Sequence, residues 1–272
     1  MDVAQQFVKL VKIMARLRSP EGCPWDREQT HQSLRPYLLE ETYEVLEALD
    51  QQNSVELCKE LGDLLLQVVF HAQIAGEASN FTLSEVIAGL TEKLIRRHPH
   101  VFGVTPSARL ENGNLTPLKV QVNSASEQRV LWEKLKKAEG KNSALDGIPA
   151  ALPALQRAQR LQEKAGAAGF DWENVDQVIA KFNSELVELQ QARHDGDARK
   201  LEDEFGDVLF SLVSVGRWLG LNAEDALRQA CEKFSRRFRL VENKLAAGGE
   251  NFDSVPPEKL NALWEEAKTE AG

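Results

Sequence analysis

The sequence predicts an all-α protein made of two tandem copies of one helical unit. Apolar residues recur at helical spacing along nearly the whole chain, and no alternating strand pattern competes with them. A shift of 144 residues aligns the chain with itself, which indicates a duplication divided near residue 140. Clusters of Pro, Gly, Asn and Ser separate the helical segments at 19–24, 76–80, 103–126, 140–149 and 248–257.

Three successive segments of the first half carry the helical period most clearly. Their apolar positions are Phe7, Leu10, Val11 and Met14, then Leu38, Leu39, Val45, Leu46 and Leu49, and then Leu57, Leu61, Leu64, Leu65 and Val68. The third segment recurs in the second half: between 57–76 and 201–220, seven of 20 positions are identical, where composition predicts about one. We therefore expect two helical domains, at residues 1–140 and 141–272.

Charge and composition exclude several classes of protein. The 272 residues include 33 Lys and Arg against 42 Asp and Glu, a net charge of −9, which disfavours sequence-independent binding of nucleic acid. The longest apolar stretch, residues 64–74, is far shorter than the roughly 20 residues that span a bilayer. No secretory leader is evident, and the three cysteines have neither metal nor disulfide spacing. We expect a cytoplasmic protein that binds neither nucleic acid nor membranes.

Two pairs of acids in the first half have the spacing of metal ligands. Glu41 and Glu44 share one face of a predicted helix, and Glu60 and Asp63 share a face of the next. Because the second helix is apolar nearly all round, we expect Glu60 and Asp63 to be buried. Buried carboxylates need a cation, and no Lys or Arg occurs from 61 to 92, although a distant one could pair with them. The shift of 144 repeats the set as Glu185, Glu188, Glu204 and Asp207.

The acid pairs include no His or Cys, which favours a hard ion such as Mg²⁺ or Mn²⁺. A di-iron centre is disfavoured because it requires Glu-x-x-His pairs, and this sequence has Asp63 and Asp207 at the His position. Basic residues on a following helix would neutralise phosphates held by the ion, or would only offset the helix dipole. They are Lys93, Arg96 and Arg97 in the first half and Lys233, Arg236 and Arg237 in the second. No Walker A or dinucleotide loop offers another phosphate site.

Seven segments resemble the MazG family of nucleoside triphosphate pyrophosphohydrolases, in order and over nearly the whole chain except about 106–126. They are GCPWD, LEETYEV, ELGDLLLQVVFHAQ, KLIRRHPHVF, SALDGIPAALPAL, KLEDEFGDVLFSLV and EKFSRRF. The resemblance implies an all-α fold of two tandem, four-helix-bundle-like domains that assemble as a homodimer. It also implies Mg²⁺-dependent hydrolysis of nucleoside triphosphates to the monophosphate and pyrophosphate, with broad base tolerance and a role in nucleotide-pool house-cleaning.

The resemblance also implies particular site residues. The metal ligands would be Glu185, Glu188, Glu204 and Asp207, with a parallel set at Glu41, Glu44, Glu60 and Asp63. The nucleotide contacts would be Lys181, Lys200, Glu202, Lys233, Arg236, Arg237 and Trp264. From the residues alone Trp264 would be a core residue with a duplicate at Trp132, whereas the resemblance implies contact with the base.

The two halves differ in ways that bear on function. The resemblance assigns hydrolysis to the C-terminal half, and the shift of 144 places Tyr37 opposite Lys181 and Glu56 opposite Lys200, so the first half lacks two cations. One departure points the other way, since the family's EExxE motif begins with Ser184 in the second half. The alternative function is a non-catalytic nucleotide-sensing module or dimeric scaffold with structural metal sites, above all in the first half.

Overall fold

Helices are the only regular elements in residues 2–102 and 143–270, the parts of the chain that this computed structural model describes. The predicted all-α fold is confirmed. The chain divides into two compact units, residues 1–121 and 122–272. The predicted domain boundary at residue 140 lies outside the described residues and stays a prediction. No helix in the two described ranges is long and apolar enough to cross a membrane.

Six helices make up the described part of the first unit. They are α1 (Val3–Leu17), α2 (Pro24–Glu28), α3 (Arg35–Asp50), α4 (Ser54–Glu77), α5 (Leu83–Arg97) and α6 (Pro99–Phe102). Side-chain caps fix where three of them begin, because Asp2, Asn53 and Thr82 each accept a hydrogen bond from a backbone amide in the first turn. Only three residues join α3 to α4, and the two helices pack together as a hairpin.

The core of the first unit lies between α1 and α4. Met14 on α1 is 1% exposed and lies with Val69 and Phe70 of α4 in a cluster of buried side chains. Near the ends of the same helices, Arg18 donates to Glu77, with Nη2 2.7 Å from Oε2, and its guanidinium lies 5.4 Å from the centre of the Phe70 ring. Apolar packing and this ion pair together fix α1 against α4.

Five helices make up the described part of the second unit. They are α7 (Ala154–Ala167), α8 (Val175–Asp195), α9 (Ala198–Trp218), α10 (Ala223–Ala247) and α11 (Pro257–Glu270). Gly196 ends α8 in the left-handed conformation, with φ of 74°, and Asp197 caps α9 by accepting from the Lys200 amide at 3.2 Å. This two-residue turn brings α8 and α9 together in a hairpin like that of α3 and α4.

The turn that follows α7 is held tightly against α9. Asp171 accepts from Arg217 Nη2 at 2.6 Å and Nη1 at 2.9 Å, and from the Trp218 indole at 3.2 Å. Its carboxylate also approaches α7 so closely that a Cβ on Gly166 would lie 2.5 Å from Oδ2. Because any larger residue would displace this carboxylate, Gly166 is what allows the turn to close onto α7.

Candidate functional site

In the first unit, the hairpin of α3 and α4 brings its acids together. Glu41, Glu60 and Asp63 each offer a carboxylate oxygen, and these three oxygens lie within 4.8 Å of one another. Glu44 lies outside this trio but is hydrogen-bonded to Glu60. Acid pairs spaced three residues apart on two adjacent helices therefore meet at one place.

The expectation that Glu60 and Asp63 are buried is wrong for the described chain. Glu60 is half-buried and Asp63 is exposed. The reason is that α4 packs against α1, α3 and α5 on only part of its surface, so that its apolar residues Leu61 and Leu65 are 50% and 39% exposed. An apolar surface all round a helix therefore does not by itself place an acid in the core.

Two acids of the first cluster, Glu60 and Glu41, have a pKa above the ordinary range. Desolvation raises the pKa of Glu60 to about 7, and the neighbouring carboxylates of Glu56 and Glu44 add to the effect. The pKa of Glu41 is also raised, first by desolvation and then by the charge of Asp63. A cation bound among these carboxylates would relieve their repulsion.

In the second unit, the hairpin of α8 and α9 forms the corresponding cluster. Carboxylate oxygens of Glu185, Glu188 and Glu204 lie within 4.8 Å of one another. Asp207 lies outside this trio, one turn beyond Glu204 on α9. Glu185 is 5% exposed, Glu204 is half-buried, and Glu188 and Asp207 are exposed. One acid of this cluster is thus firmly enclosed by protein, and the others can still reach a ligand.

A lysine accompanies the second cluster. Lys181 lies one turn before Glu185 on α8 and forms an ion pair with it. Its pKa is raised by this hydrogen bond, and the charges of Glu188 and Asp207 add to the effect, so the ammonium group stays protonated at neutral pH. The corresponding residue of the first unit, Tyr37, instead lies edge-on to the Trp25 ring.

The other predicted nucleotide contacts fall into two groups. On α9, the Nζ atom of Lys200 lies 3.7 Å from Oδ2 of Asp195. Glu202, on the same helix, is exposed. On α10 and α11, Trp264 packs against the buried cluster around Val241, and its ring centre lies 5.2 Å from that of Phe234. The α10 cations of this group are exposed or half-buried: Lys233, Arg236 and Arg237.

A cavity of about 500 Å³ borders the second cluster, and the helical pattern of the sequence did not indicate it. It is lined by residues of α7, α8 and α9 and of the turn after α7, among them Gln162, Phe170 and Trp172. The signal that could have drawn attention to this turn is the aromatic pair two residues apart in GFDWE, at 169–173.

Fold and site together define an all-α protein with a carboxylate cluster in each unit, of the kind that holds a divalent cation. The sequence model of the MazG nucleotide pyrophosphohydrolase domain matches residues 29–102 and 173–241, which cover both acidic hairpins. The chain belongs to the MazG family. The resemblance seen in the sequence is confirmed.

Curated relatives match nearly the whole chain. The nucleoside triphosphate pyrophosphohydrolase/pyrophosphatase MazG of Thermotoga maritima is 47% identical over 265 residues, which cover 96% of this chain and 95% of that protein. The nucleoside triphosphate pyrophosphohydrolase of Escherichia coli K12 is 44% identical over 270 residues, 97% of each chain. An uncharacterised Bacillus subtilis protein is 41% identical over 270 residues, which cover 97% of this chain and 52% of that protein.

Proposed function

We propose that the protein hydrolyses nucleoside triphosphates between the α and β phosphates and releases the nucleoside monophosphate and pyrophosphate. The observation that carries this proposal is the second cluster, where three carboxylates converge beside a lysine, and where Lys181, Glu185 and Asp207 line a cavity of about 500 Å³. Family membership and the activities named for the Thermotoga and Escherichia relatives support it. Broad tolerance of bases and a house-cleaning role in the nucleotide pool belong to the same proposal.

The cofactor in this proposal is Mg²⁺, with Mn²⁺ as a possible substitute. The ligands would be Glu185, Glu188, Glu204 and Asp207, and a set of carboxylate oxygens without His or Cys fits a hard divalent ion. When bound, the ion would neutralise phosphate oxygens and lower the pKa of an attacking water. Because Glu185 is buried, its carboxylate is held in place by its surroundings and can position the ion without further ordering.

Cationic side chains of the second unit would bind the phosphates. Lys181 is already beside the cluster and protonated, so it can neutralise a phosphate oxygen at little cost in reorganisation. The further nucleotide contacts in the proposal are Lys200, Glu202, Lys233, Arg236, Arg237 and Trp264. A second metal ion would be held in the first unit by Glu41, Glu44, Glu60 and Asp63.

A homodimer is the assembly we propose. Apolar residues of both acidic hairpins are exposed in the single chain: Leu61, Leu65, Val68, Phe205, Leu209 and Leu212. Exposed apolar surfaces of this kind are typical of sites that pair with another chain. The proposed location is the cytoplasm, where nucleoside triphosphates are found.

A second candidate function applies to the first unit, which would be a non-catalytic nucleotide sensor or scaffold with a structural metal ion. The observation that favours it is Tyr37, which stands where the second unit has Lys181. The Tyr37 ring lies 5.8 Å from the Trp25 ring, so it packs where the other unit offers a cation. Calorimetry with a nonhydrolysable nucleotide on the full chain, with Lys181→Met to disable the second unit, would detect binding to the first unit.

Pyrophosphate release from mixed nucleoside triphosphates tests the proposed activity. We expect release that requires Mg²⁺ and that falls by at least roughly 100-fold in Glu204→Gln, which removes one ligand charge and keeps the side-chain size. Glu60→Gln is the matched control in the first unit and should change turnover little. Undiminished release in Glu204→Gln would overturn the assignment. Loss of release in Glu60→Gln alone would reverse the roles of the two units.

A further inference from the structure

The cavity in the second unit combines an apolar lining with a charged edge. Its volume of about 500 Å³ lies within the roughly 300–1,000 Å³ of pockets that enclose small ligands. Phe170, Trp172 and Phe210 contribute aromatic side chains, and Leu161 contributes an aliphatic one. Such a lining suits a flat, largely apolar ring and does not suit a phosphate chain.

Residues of the carboxylate site also line this cavity. Lys181, Glu185 and Asp207 belong to the cavity wall and to the surroundings of the second cluster. A triphosphate held at the cluster would therefore have its nucleoside at the cavity. We propose that the cavity is the base-binding chamber and that Gln162 reads the hydrogen-bonding edge of the base. This inference rests on the proposed triphosphate hydrolysis and adds to it the means of base recognition.

Gln162 is a buried cavity residue with an unused hydrogen-bonding atom. It is 8% exposed, and its Nε2 donates to the carbonyl oxygen of Phe210 at 2.8 Å. This bond fixes which end of the amide is the nitrogen, because only the nitrogen can donate to a carbonyl. The Oε1 atom is buried and has no hydrogen-bond partner among the described residues. An unsatisfied buried acceptor is unfavourable, and an N–H group of a ligand would satisfy it.

Arg217 lines the same cavity and has an unused donor. Its Nη atoms bind Asp171, but its Nε is buried and has no partner in the described part of the chain. Each natural base carries both an N–H donor and an acceptor on its Watson–Crick edge. The cavity lining thus includes one residue with an unused acceptor and one with an unused donor, and every natural base has a group that can pair with at least one of them.

Two aromatic residues of the chamber, Phe170 and Trp172, lie on a turn whose backbone is fixed by hydrogen bonds. The Phe170 amide donates to the carbonyl of Ala165 at 2.9 Å, which ties the turn to the end of α7. The Trp172 amide donates to the Asp171 carboxylate at 2.9 Å, and Asp171 is anchored to α9 through Arg217. The backbone of the turn is thus fixed before a base arrives, while the rings stay exposed, Phe170 at 84% and Trp172 at 41%, and are free to stack on a base.

The first test compares two substrates that differ in a single amino group. ATP and purine riboside 5′-triphosphate share one ring system, but only ATP has an N–H donor on its Watson–Crick edge. We expect the full chain to prefer ATP by about tenfold in kcat/KM, which corresponds to about 1.4 kcal/mol for one hydrogen bond. In Gln162→Leu this ratio should fall to near one.

A binding measurement without turnover separates this inference from the proposed hydrolysis. Calorimetry with α,β-imido-ATP and Mg²⁺ should show roughly tenfold weaker binding in Trp172→Ala, because one stacking partner of the base is lost. Trp25→Ala removes the duplicate of this residue in the first unit and should leave the affinity unchanged. If these effects appear while no pyrophosphate is released from any triphosphate, the hydrolysis proposal fails and the base chamber stands.

Two results would overturn the base chamber. One is an unchanged ATP preference and unchanged analogue affinity in a folded Gln162→Leu protein, with Gln162→Met as the substitute if the leucine variant does not fold. The other is a loss of the ATP preference in Trp264→Ala but not in Gln162→Leu, because the base would then lie against α11. Thermal unfolding of each variant establishes that it is folded.

Discussion

The two units carry the same acidic hairpin but differ in what lies beside it. In the first unit, Met14 of the first helix is buried against Val69 and Phe70, so that side chains fill the space between α1 and α4. In the second unit, α7, the first of its described helices, borders a cavity that extends to Lys181. Both units have kept the carboxylates, and a cavity of about 500 Å³ borders the second set. The volume next to a set of acids must therefore be considered along with the acids themselves.

The units also differ in how the charge of their acids is balanced. In the first unit the carboxylates act on one another, and the pKa of Glu60 is raised to about 7, first by desolvation and then by neighbouring acids. In the second unit Lys181 is paired with Glu185 and offsets part of the negative charge. The second cluster therefore offers Lys181 to an anion and its carboxylates to a cation.

The largest effect should come from replacing Lys181 of the second unit by tyrosine, the residue at the corresponding position of the first unit. Lys181→Tyr should lower kcat/KM for pyrophosphate release by roughly 100-fold, because the phosphates lose a positive partner. The reciprocal change Tyr37→Lys should leave turnover near its original value, because it leaves the second cluster, where we propose hydrolysis, unchanged. Full activity in Lys181→Tyr would mean that this cation is not what distinguishes the two units.

A smaller effect should distinguish the packed core of the first unit from the cavity-containing core of the second. Met14→Ala should lower the free energy of unfolding by about 2–5 kcal/mol, because it opens a new cavity among well-packed side chains. Leu161→Ala enlarges a cavity that already exists and should cost less than about 2 kcal/mol. Urea denaturation of the full chain measures both. Equal losses would contradict the difference in packing between the two units.

The smallest effect concerns the ion pairs that tie the end of α1, and the turn after α7, to the acidic hairpins. The Arg18 guanidinium lowers the pKa of Glu77, and that of Arg217 lowers the pKa of Asp171. A carboxyl group whose pKa is lowered by folding stabilises the folded chain above its unfolded pKa. This contribution is lost as the pH falls through the folded value.

Both pairs should therefore weaken below about pH 4. Because the pairs are partly exposed, Arg217→Gln should remove less than about 1 kcal/mol at pH 7 and should have almost no effect at pH 2. Chemical denaturation at the two pH values measures this difference. An equal loss at both would show that Arg217 acts through packing and not through its charge.

Local features of the chain were the part that sequence could predict. Apolar spacing indicated the helices, because burial of one helix face requires that period. The pairs Glu41 and Glu44, and Glu60 and Asp63, lie three residues apart on helices joined by a short turn. Such pairs must come close together once the hairpin forms, whatever the rest of the fold does.

Features that depend on distant packing could not be predicted in this way. The exposure of Asp63 depends on which other surfaces cover α4, and its own helix does not determine that. The cavity is a space left between side chains that are distant in sequence. The amide of Gln162 is oriented by its hydrogen bond to Phe210, which lies 48 residues away in sequence. No periodic pattern records such contacts. The roles of the individual acids and cations remain predictions.

The turn that precedes each acidic hairpin has become specific to its own unit. It is GCPWD at 22–26 and GFDWE at 169–173. The second copy has Phe170 at the cavity and Asp171 as the anchor of Arg217, where the first copy has Cys23 and Pro24. The two copies are therefore no longer interchangeable modules. A chimera built from two second units would carry this anchored turn twice, and one built from two first units would lack it altogether.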